Sequence, residues 1–252
     1  MQSLSGKTVL ITGACGAVGQ ACAETFLAAG AQVALTDRAA PATFPDSPDV
    51  WFQAADVTDR QAIGAVIEAA LRRFGQIDAA VLAAGIEGAV GPIEDISEAD
   101  IDAVLAVNVK GSLFAMQALL PHMKVRGAGS IVALSSISGL VGAASLAPYV
   151  ISKHAVVGLV RSAALEVGRH GVRVNAVCPG PIESDMMRRL DAALSARDPI
   201  RPANPGDGAK SIPLQRYATA ADVAGMIGFL CSDEAASCHG GTYMVDGGFT
   251  AR

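Results

Sequence analysis

The chain has 252 residues, of which 51% are hydrophobic and only 4% aromatic, with a mean hydropathy of +0.40. That is ample apolar material for a large core, which excludes global disorder, and the core is expected to be built from Ala, Val, Leu and Ile. Its 24 acidic residues outnumber 19 basic ones, for a formal charge of -5. A mildly acidic chain without a basic stripe argues against a nucleic-acid partner.

The opening MQSLSGKTVLITG reads as strand-like rather than as a signal peptide. No continuous apolar run reaches the ~18–20 residues that span a bilayer, so no membrane partner and a cytoplasmic location are expected. Strand TVLITG leads into a predicted helix over Gln20–Ala29 and then into AQVALTD. Further strands are predicted at Trp51–Ala54, Ala79–Ala83, Ser130–Leu134 and Val172–Val177. Helices are predicted at Asp59–Phe74, Asp100–Val125 and Ala147–Gly168, the last with Pro148 in its first turn and Gly171 beyond its end. Continuous apolar strands alternating with helices predict an α/β fold with a doubly wound parallel sheet flanked by helices on both faces. No repeat or linker tract interrupts this rhythm, so one domain over 1–252 is expected. Pro41–Asp49 reads as an exposed loop, and Ser195–Pro213, with Pro199, Pro202, Pro205, Gly206 and Gly208, as part of a substrate-covering segment at about 185–213. Five cysteines (Cys15, Cys22, Cys178, Cys231 and Cys238) are an odd number without ligand spacing. They read as buried thiols in a reducing compartment, with no metal site expected.

Between the first strand and helix lies Gly13-Ala14-Cys15-Gly16-Ala17-Val18-Gly19. Glycines at such a junction let backbone amides approach a pyrophosphate, which the helix N-terminus also stabilises. The second strand ends in Asp37, 24 residues beyond Gly13, where a carboxylate would accept hydrogen bonds from a ribose diol. Such an acid repels a 2′-phosphate, so a Rossmann-type site for NAD rather than NADP is expected, although the guanidinium of Arg38 would favour a phosphate. Further along, Tyr149 precedes Lys153 by four residues, a spacing that stacks the two on one helix face, and Ser136 lies thirteen residues upstream of the tyrosine. A phenol titrates near ~10, and an adjacent ammonium favours its ionised form. Tyr149 is thus the candidate acid/base and Ser136 the group that steadies a substrate oxygen.

Taken in order, these motifs resemble the short-chain dehydrogenase/reductase family over essentially the whole chain. TGACGAVG (Thr12 to Gly19) departs from the usual form by placing Ala17 where the middle glycine stands. LAAG (Leu82 to Gly85) stands where the family has Asn-Asn-Ala-Gly, losing two amides expected to brace the sheet. The resemblance implies cofactor contacts from Gly13, Cys15, Gly16, Ala17, Val18 and Gly19, from Asp37 and Arg38, from Asp56 and Val57 around the adenine, and from Ala83, Ala84 and Gly85. It implies that Asn108, in NVKG, relays a proton through water to Lys153, and that Lys153 also holds the nicotinamide ribose. Asn108, Ser136, Tyr149 and Lys153 are then the catalytic residues, with Asn108, Tyr149 and Lys153 touching the cofactor as well. Pro179, Gly180, Ile182 and Ser184 of PGPIES match the family's PG motif beside the cofactor, and VDGG (Val245 to Gly248) matches its common ending. A homotetramer is also implied.

The expected activity is NAD-dependent interconversion of a secondary alcohol and a ketone. Ser136, Ser138, Val141, Tyr149, Pro181, Met186 and Met187 are the candidate substrate contacts, with Leu140, Ala143, Ile182 and Leu190 beside them. This mostly apolar set suits an aliphatic, alicyclic or aromatic substrate. Arg188, Arg189, Arg197 and Arg201 read as solvated or snorkelled cations, or as a site for an acidic group. Two other readings stay open: an NADPH-dependent 3-oxoacyl-thioester reductase, against which Asp37 speaks, and a non-catalytic nucleotide-binding scaffold, for which Ala17 and LAAG supply a motive.

Overall fold

The computed structural model describes residues 4–40, 43–44, 47–197 and 208–251. Seven strands pair in parallel in the order β3-β2-β1-β4-β5-β6-β7. They are β1 (Thr8–Thr12), β2 (Gln32–Thr36), β3 (Val50–Phe52), β4 (Ala79–Leu82), β5 (Gly129–Leu134), β6 (Val172–Pro179) and β7 (Thr242–Val245). The central strands bury both faces, which is why they read as unbroken apolar runs. Side chains alternate between two cores: Leu10, Ile131, Ala133, Val174 and Ala176 face one, while Val9, Ile11, Val132 and Val177 face the other.

The helices complete the layers. On one side α2 (Arg60–Phe74), α4 (Gly111–Arg126) and α5 (Ala147–Val167) contribute Ile63, Met116, Leu119, Val156 and Val160. On the other, α1 (Ala17–Ala28) and α7 (Ala220–Cys231) contribute Phe26, Val223 and Ile227. Helix α2 starts at Asp59, whose carboxylate accepts from the N–H groups of Gln61 and Ala62, and stops at Gly75 in the left-handed conformation. Capping boxes begin α3 (Glu98–Leu105) at Ser97 and α7 at Thr219.

The predicted strands and helices are present with ends shifted by a few residues. The predicted helix Asp100–Val125 is interrupted: between α3 and α4 lies a π-helical turn over Ala106–Lys110. Within the continuous helical run Glu98–Arg126, an 18-residue stretch with a mean hydropathy of 1.5 is long and apolar enough to cross a membrane by length and composition. Within the fold its Val104, Ala115, Met116, Leu119 and Met123 are buried in the protein's own core. Strand β7 and helix α7 had no sequence prediction; β7 is short and half-buried at the sheet edge, and α7 is apolar on most sides, so neither shows a clean period. Of the predicted loop and cover, residues 41–42, 45–46 and 198–207, including Pro199, Arg201, Pro202, Pro205 and Gly206, lie outside the described residues.

Candidate active site

All strands end on one edge, and the candidate residues gather there because the loops that leave a parallel sheet at its carboxyl edge carry them. After β1 the chain turns at Gly13 with φ 70°, a conformation that favours glycine. A Cβ at Gly13 would stand 2.6 Å from the amide nitrogen of Ala84, and one at Gly19 would drive into the carbonyl of Gly13. The turn, the end of β4 and the first turn of α1 are therefore in backbone contact. Helix α1 starts from Gly16 with no side-chain cap, and Ala17 is exposed, so its methyl group faces away from this packing. An uncapped N-terminus behind a glycine turn suits a pyrophosphate, and these residues fit a dinucleotide.

Asp37 is engaged within the protein itself. Its carboxylate accepts the Cys15 N–H at 2.9 Å and the Arg38 N–H at 2.7 Å, fastening the end of β2 to the glycine turn. The half-buried Cys15 donates its thiol to the Ala39 carbonyl at 3.0 Å, and burial, followed by the Asp37 charge, pushes that thiol above its ordinary range. Asp56 is exposed and accepts both the N–H and the hydroxyl of Thr58, which hold its carboxyl below the usual range. Val57 is buried against Gly111, where a Cβ would lie 2.9 Å from its methyl carbon. At LAAG the main chain continues the pairing of β4 with β1: Ala83 donates to the Thr12 carbonyl at 3.2 Å, and the Ala84 N–H points at the Thr12 hydroxyl at a long 3.5 Å.

Asn108 sits in the π-helical turn, 1% exposed. Its side chain accepts the Ile86 N–H at 2.8 Å and donates to the Ile86 carbonyl at 3.0 Å and the Ser152 hydroxyl at 2.9 Å; Ser152 in turn donates to the Tyr149 carbonyl. π-Turns are rare and gather at functional sites. Lys153 is 4% exposed rather than solvated, and its ammonium donates to the Leu134 carbonyl at 2.8 Å and lies 5.5 Å from the Tyr149 ring centre. A Cβ on Gly85 would come within 3.5 Å of that ammonium and 3.3 Å of the Asn108 amide oxygen. Ser135 donates to the Lys153 carbonyl at 2.9 Å, while Ser136 accepts the Ser138 N–H at 3.1 Å and caps a short 3-10 turn, Ile137–Gly139. Thus β4, β5, the π-turn and α5 bring Gly85, Asn108, Ser136, Tyr149 and Lys153 together.

The electrostatics correct one expectation. Tyr149 is not lowered by its lysine: burial pushes its phenol up to about 12, a nearby Ser136 hydroxyl pulls the other way, and the Glu87 charge adds to the rise. Lys153 is pulled down to about 8, again by burial, so its positive charge is itself weakened. Two groups withdrawn from water together each favour the neutral form.

The covering side is built from the chain after β6. The Gly180 N–H donates to Val245, and Ile182 bridges to Ala218. Ser184 is spent locally: its hydroxyl donates to the Ile182 carbonyl and accepts the Met187 N–H, capping α6 (Asp185–Arg197), a use that the motif alone did not reveal. Met186 and Met187 stand half-buried in the first turn of α6, and Val141 is 40% exposed across from the 3-10 turn. A cleft of about 440 Å³ between α6 and the loop after β4 is lined by Glu87, Gly88, Val90, Arg189, Leu190 and Arg197, among others. Glu87 and Arg189 form an ion pair at 2.6 Å. Sequence reasoning missed Glu87; the only signal was a charge two residues past LAAG in an otherwise apolar stretch.

Residues 13–250 match a family model described as enoyl-(acyl carrier protein) reductase. Levodione reductase of Leifsonia aquatica is 34% identical over 97% of this chain and 94% of its own length. The crystal structure of levodione reductase superposes with a TM-score of 0.92 at 33% identity, covering 98% of each chain. The chain belongs to the short-chain dehydrogenase/reductase family. The 2-(R)-hydroxypropyl-CoM dehydrogenase of Xanthobacter autotrophicus (strain ATCC BAA-1158 / Py2), 36% identical over 97% of this chain and 99% of its own length, points the same way. So does the structure of ElxO with NADP bound, with a TM-score of 0.88 at 30% identity over the full length of both chains. As a short-chain dehydrogenase/reductase the protein is an oxidoreductase that binds a nicotinamide dinucleotide, NAD or NADP.

Proposed function

We propose that the protein is an NAD-dependent dehydrogenase that interconverts a secondary alcohol and a ketone, with Tyr149 as the acid/base. The observation that carries this reading is the convergence of Ser136, Tyr149 and a buried Lys153 beside Gly85 and Asn108 at the carboxyl edge of the sheet. Levodione reductase and the hydroxypropyl-CoM dehydrogenase are named for ketone and alcohol chemistry of this kind. The turn Gly13–Gly19 and the N-terminus of α1 would hold the pyrophosphate, Asp37 the adenosine ribose, and Lys153 the second ribose. The bound dinucleotide supplies the hydride acceptor or donor, and the protein manages the proton.

Tyr149 holds its proton at neutral pH, so it is poised to donate it to a ketone oxygen. For oxidation the same phenol must first release that proton to solvent, so this direction is favoured as pH rises. Ser136 donates a hydrogen bond to the substrate oxygen as charge develops there. Asp37 supports NAD over NADP by repelling a 2′-phosphate. Helices α4 and α5 leave Val125 and Leu165 almost fully exposed, which supports self-association, and five free thiols suit the reducing cytosol. The description of the matched family model, an enoyl-(acyl carrier protein) reductase, shares only an acyl-thioester substrate with the 3-oxoacyl-thioester reductase reading, which strong NADPH preference with thioester turnover would favour.

Tyr149→Phe tests the assignment. Turnover is expected to fall roughly a thousandfold while NADH binding, followed by fluorescence, stays within about twofold. The native protein's oxidation rate rises with pH, a slope the variant lacks. Near-native turnover in the variant would remove Tyr149 from the mechanism.

A further inference from the structure

The four arginines on and after α6 are not equivalent. Arg201 lies outside the described residues, and the exposed Arg188 is paired with Asp185. Arg189 and Arg197 instead line the cleft of about 440 Å³ between α6 and the loop after β4, with Val90, Leu190 and Ala193 supplying apolar wall. Arg189 is tethered at one edge, Nε to Glu87 Oε1 at 2.6 Å, and among the described residues its terminal nitrogens bond nothing else. The Arg197 guanidinium lies over the buried Gly91, 3.4 to 3.5 Å from where a Cβ would stand. Among the described residues it has neither a hydrogen bond nor an ion pair.

The cleft abuts the catalytic end of α5. Ile86, just before Glu87, is held through both main-chain polar atoms by Asn108, at 2.8 and 3.0 Å. A Cβ on Gly88, just after it, would lie 3.9 Å from Pro148, the neighbour of Tyr149. Gly91 donates its N–H to the Ser145 carbonyl at 2.9 Å. Burial tends to raise the Glu87 carboxyl, but the hydrogen bond and charge of Arg189 hold it below the usual range, so it stays ionised. The lining therefore carries two guanidiniums against one carboxylate, a surplus of positive charge in a chain whose formal charge is -5.

Building on the reading of Tyr149 as acid/base, we propose that this cleft is the distal part of the substrate site and takes a carboxylate. The substrate is then an oxo acid in reduction and the matching hydroxy acid in oxidation, with apolar carbons between its two polar ends. Hydride passes between the dinucleotide and the ketone carbon and the proton between Tyr149 and the oxygen, while the carboxylate is unchanged. A guanidinium presents parallel N–H donors that match the two oxygens of a carboxylate. Glu87 holds Arg189 in place beforehand, so less side-chain freedom is lost on binding. A single surplus charge suits a carboxylate, whereas a phosphate monoester brings about 1.5 to 2 negative charges. The volume and the mixture of apolar wall with a few polar groups are those of a small-molecule site.

The test is binding, followed by calorimetry on the protein without added dinucleotide, of linear oxo acids from 4-oxopentanoate to 7-oxooctanoate and of their methyl esters. At the best chain length the acid is expected to bind roughly tenfold more tightly than its ester, an advantage that shrinks in high salt. Arg189→Gln and Arg197→Gln should each bring that ratio close to one, while Arg72→Gln, on the exposed end of α2, should leave it as it was. Equal binding of acid and ester at every length overturns the proposal. So does a ratio that survives in both cleft variants, or one that falls as far in Arg72→Gln, as a general effect of net charge would give. A loss of equal size for acid and ester, as plain loosening of α6 would produce, overturns it too. Turnover of the same compounds with NADH is read separately. A carboxylate preference without turnover of any of them leaves the cleft assigned and removes the dehydrogenase reading, and turnover without preference does the reverse.

Discussion

Asp37 shows how one side chain can carry a structural and a recognition role at once. Its carboxylate ties the glycine turn to the end of β2 through Cys15 and Arg38, and on the function proposed above its charge repels a 2′-phosphate. Asp37→Asn separates the two roles, because an amide oxygen still accepts the Cys15 N–H while the charge is gone. The expected result is a roughly tenfold gain in NADP affinity with a smaller loss for NAD, measured by titration of each cofactor. A native protein that already prefers NADP would reverse the assignment. At this scale the sequence was legible where geometry is local, as with the Tyr149–Lys153 spacing, which puts both residues on one face of α5. It was not legible where burial decides. Nothing in the spacing says that both members of the Tyr149–Lys153 pair leave water, and that withdrawal reverses the expected lowering of the phenol.

The elements position the site by backbone contact more than by side-chain reach. The 3-10 turn carrying Ser136 lies flat on α5 because Gly139 has no side chain: a Cβ there would stand 2.7 Å from the Lys153 carbonyl oxygen and would strike the Ser135 hydroxyl. Gly139→Ala must therefore push the turn off the helix, and is expected to cost about 2 kcal/mol in denaturant unfolding and to displace Ser136. Gly64→Ala in α2, where a Cβ meets nothing within 4 Å, is the matched control and is expected to be neutral or stabilising. Equal unfolding midpoints for the two variants would contradict this packing. Strands β1, β2 and β4 to β6 were readable because burial on both faces writes an apolar run into the sequence. β7 was missed because an edge strand of four residues with partly exposed side chains writes none. The capping role of Ser184 was not legible for a similar reason, since a hydroxyl that caps a helix and one that meets a cofactor have the same sequence signature.

For the molecule as a whole, the doubly wound architecture follows from the alternation of strands and helices, and the site falls at the carboxyl edge of that sheet. On the outer surface, α4 and α5 leave an excess of apolar side chains uncovered. Val125 at 92%, Leu165 at 91% and Ile151 at 51% exposure identify where that excess lies. A stable oligomer is expected by light scattering at micromolar concentration, and a monomer mass would remove these helices as contact surfaces.

The widened turn at Ala106–Lys110 has a consequence for how this architecture tolerates change. It inserts one surplus residue into a rod that otherwise runs unbroken from Glu98 to Arg126. Rewinding the turn as regular α-helix with all its residues kept would spin everything downstream by about 100° relative to what precedes it. Met116 and Leu119 would swing out of the interior, or Asn108 would lose its grip on Ile86; the rod cannot keep both. A substitution that merely favours regular winding would force the chain to choose between its core and its chemistry.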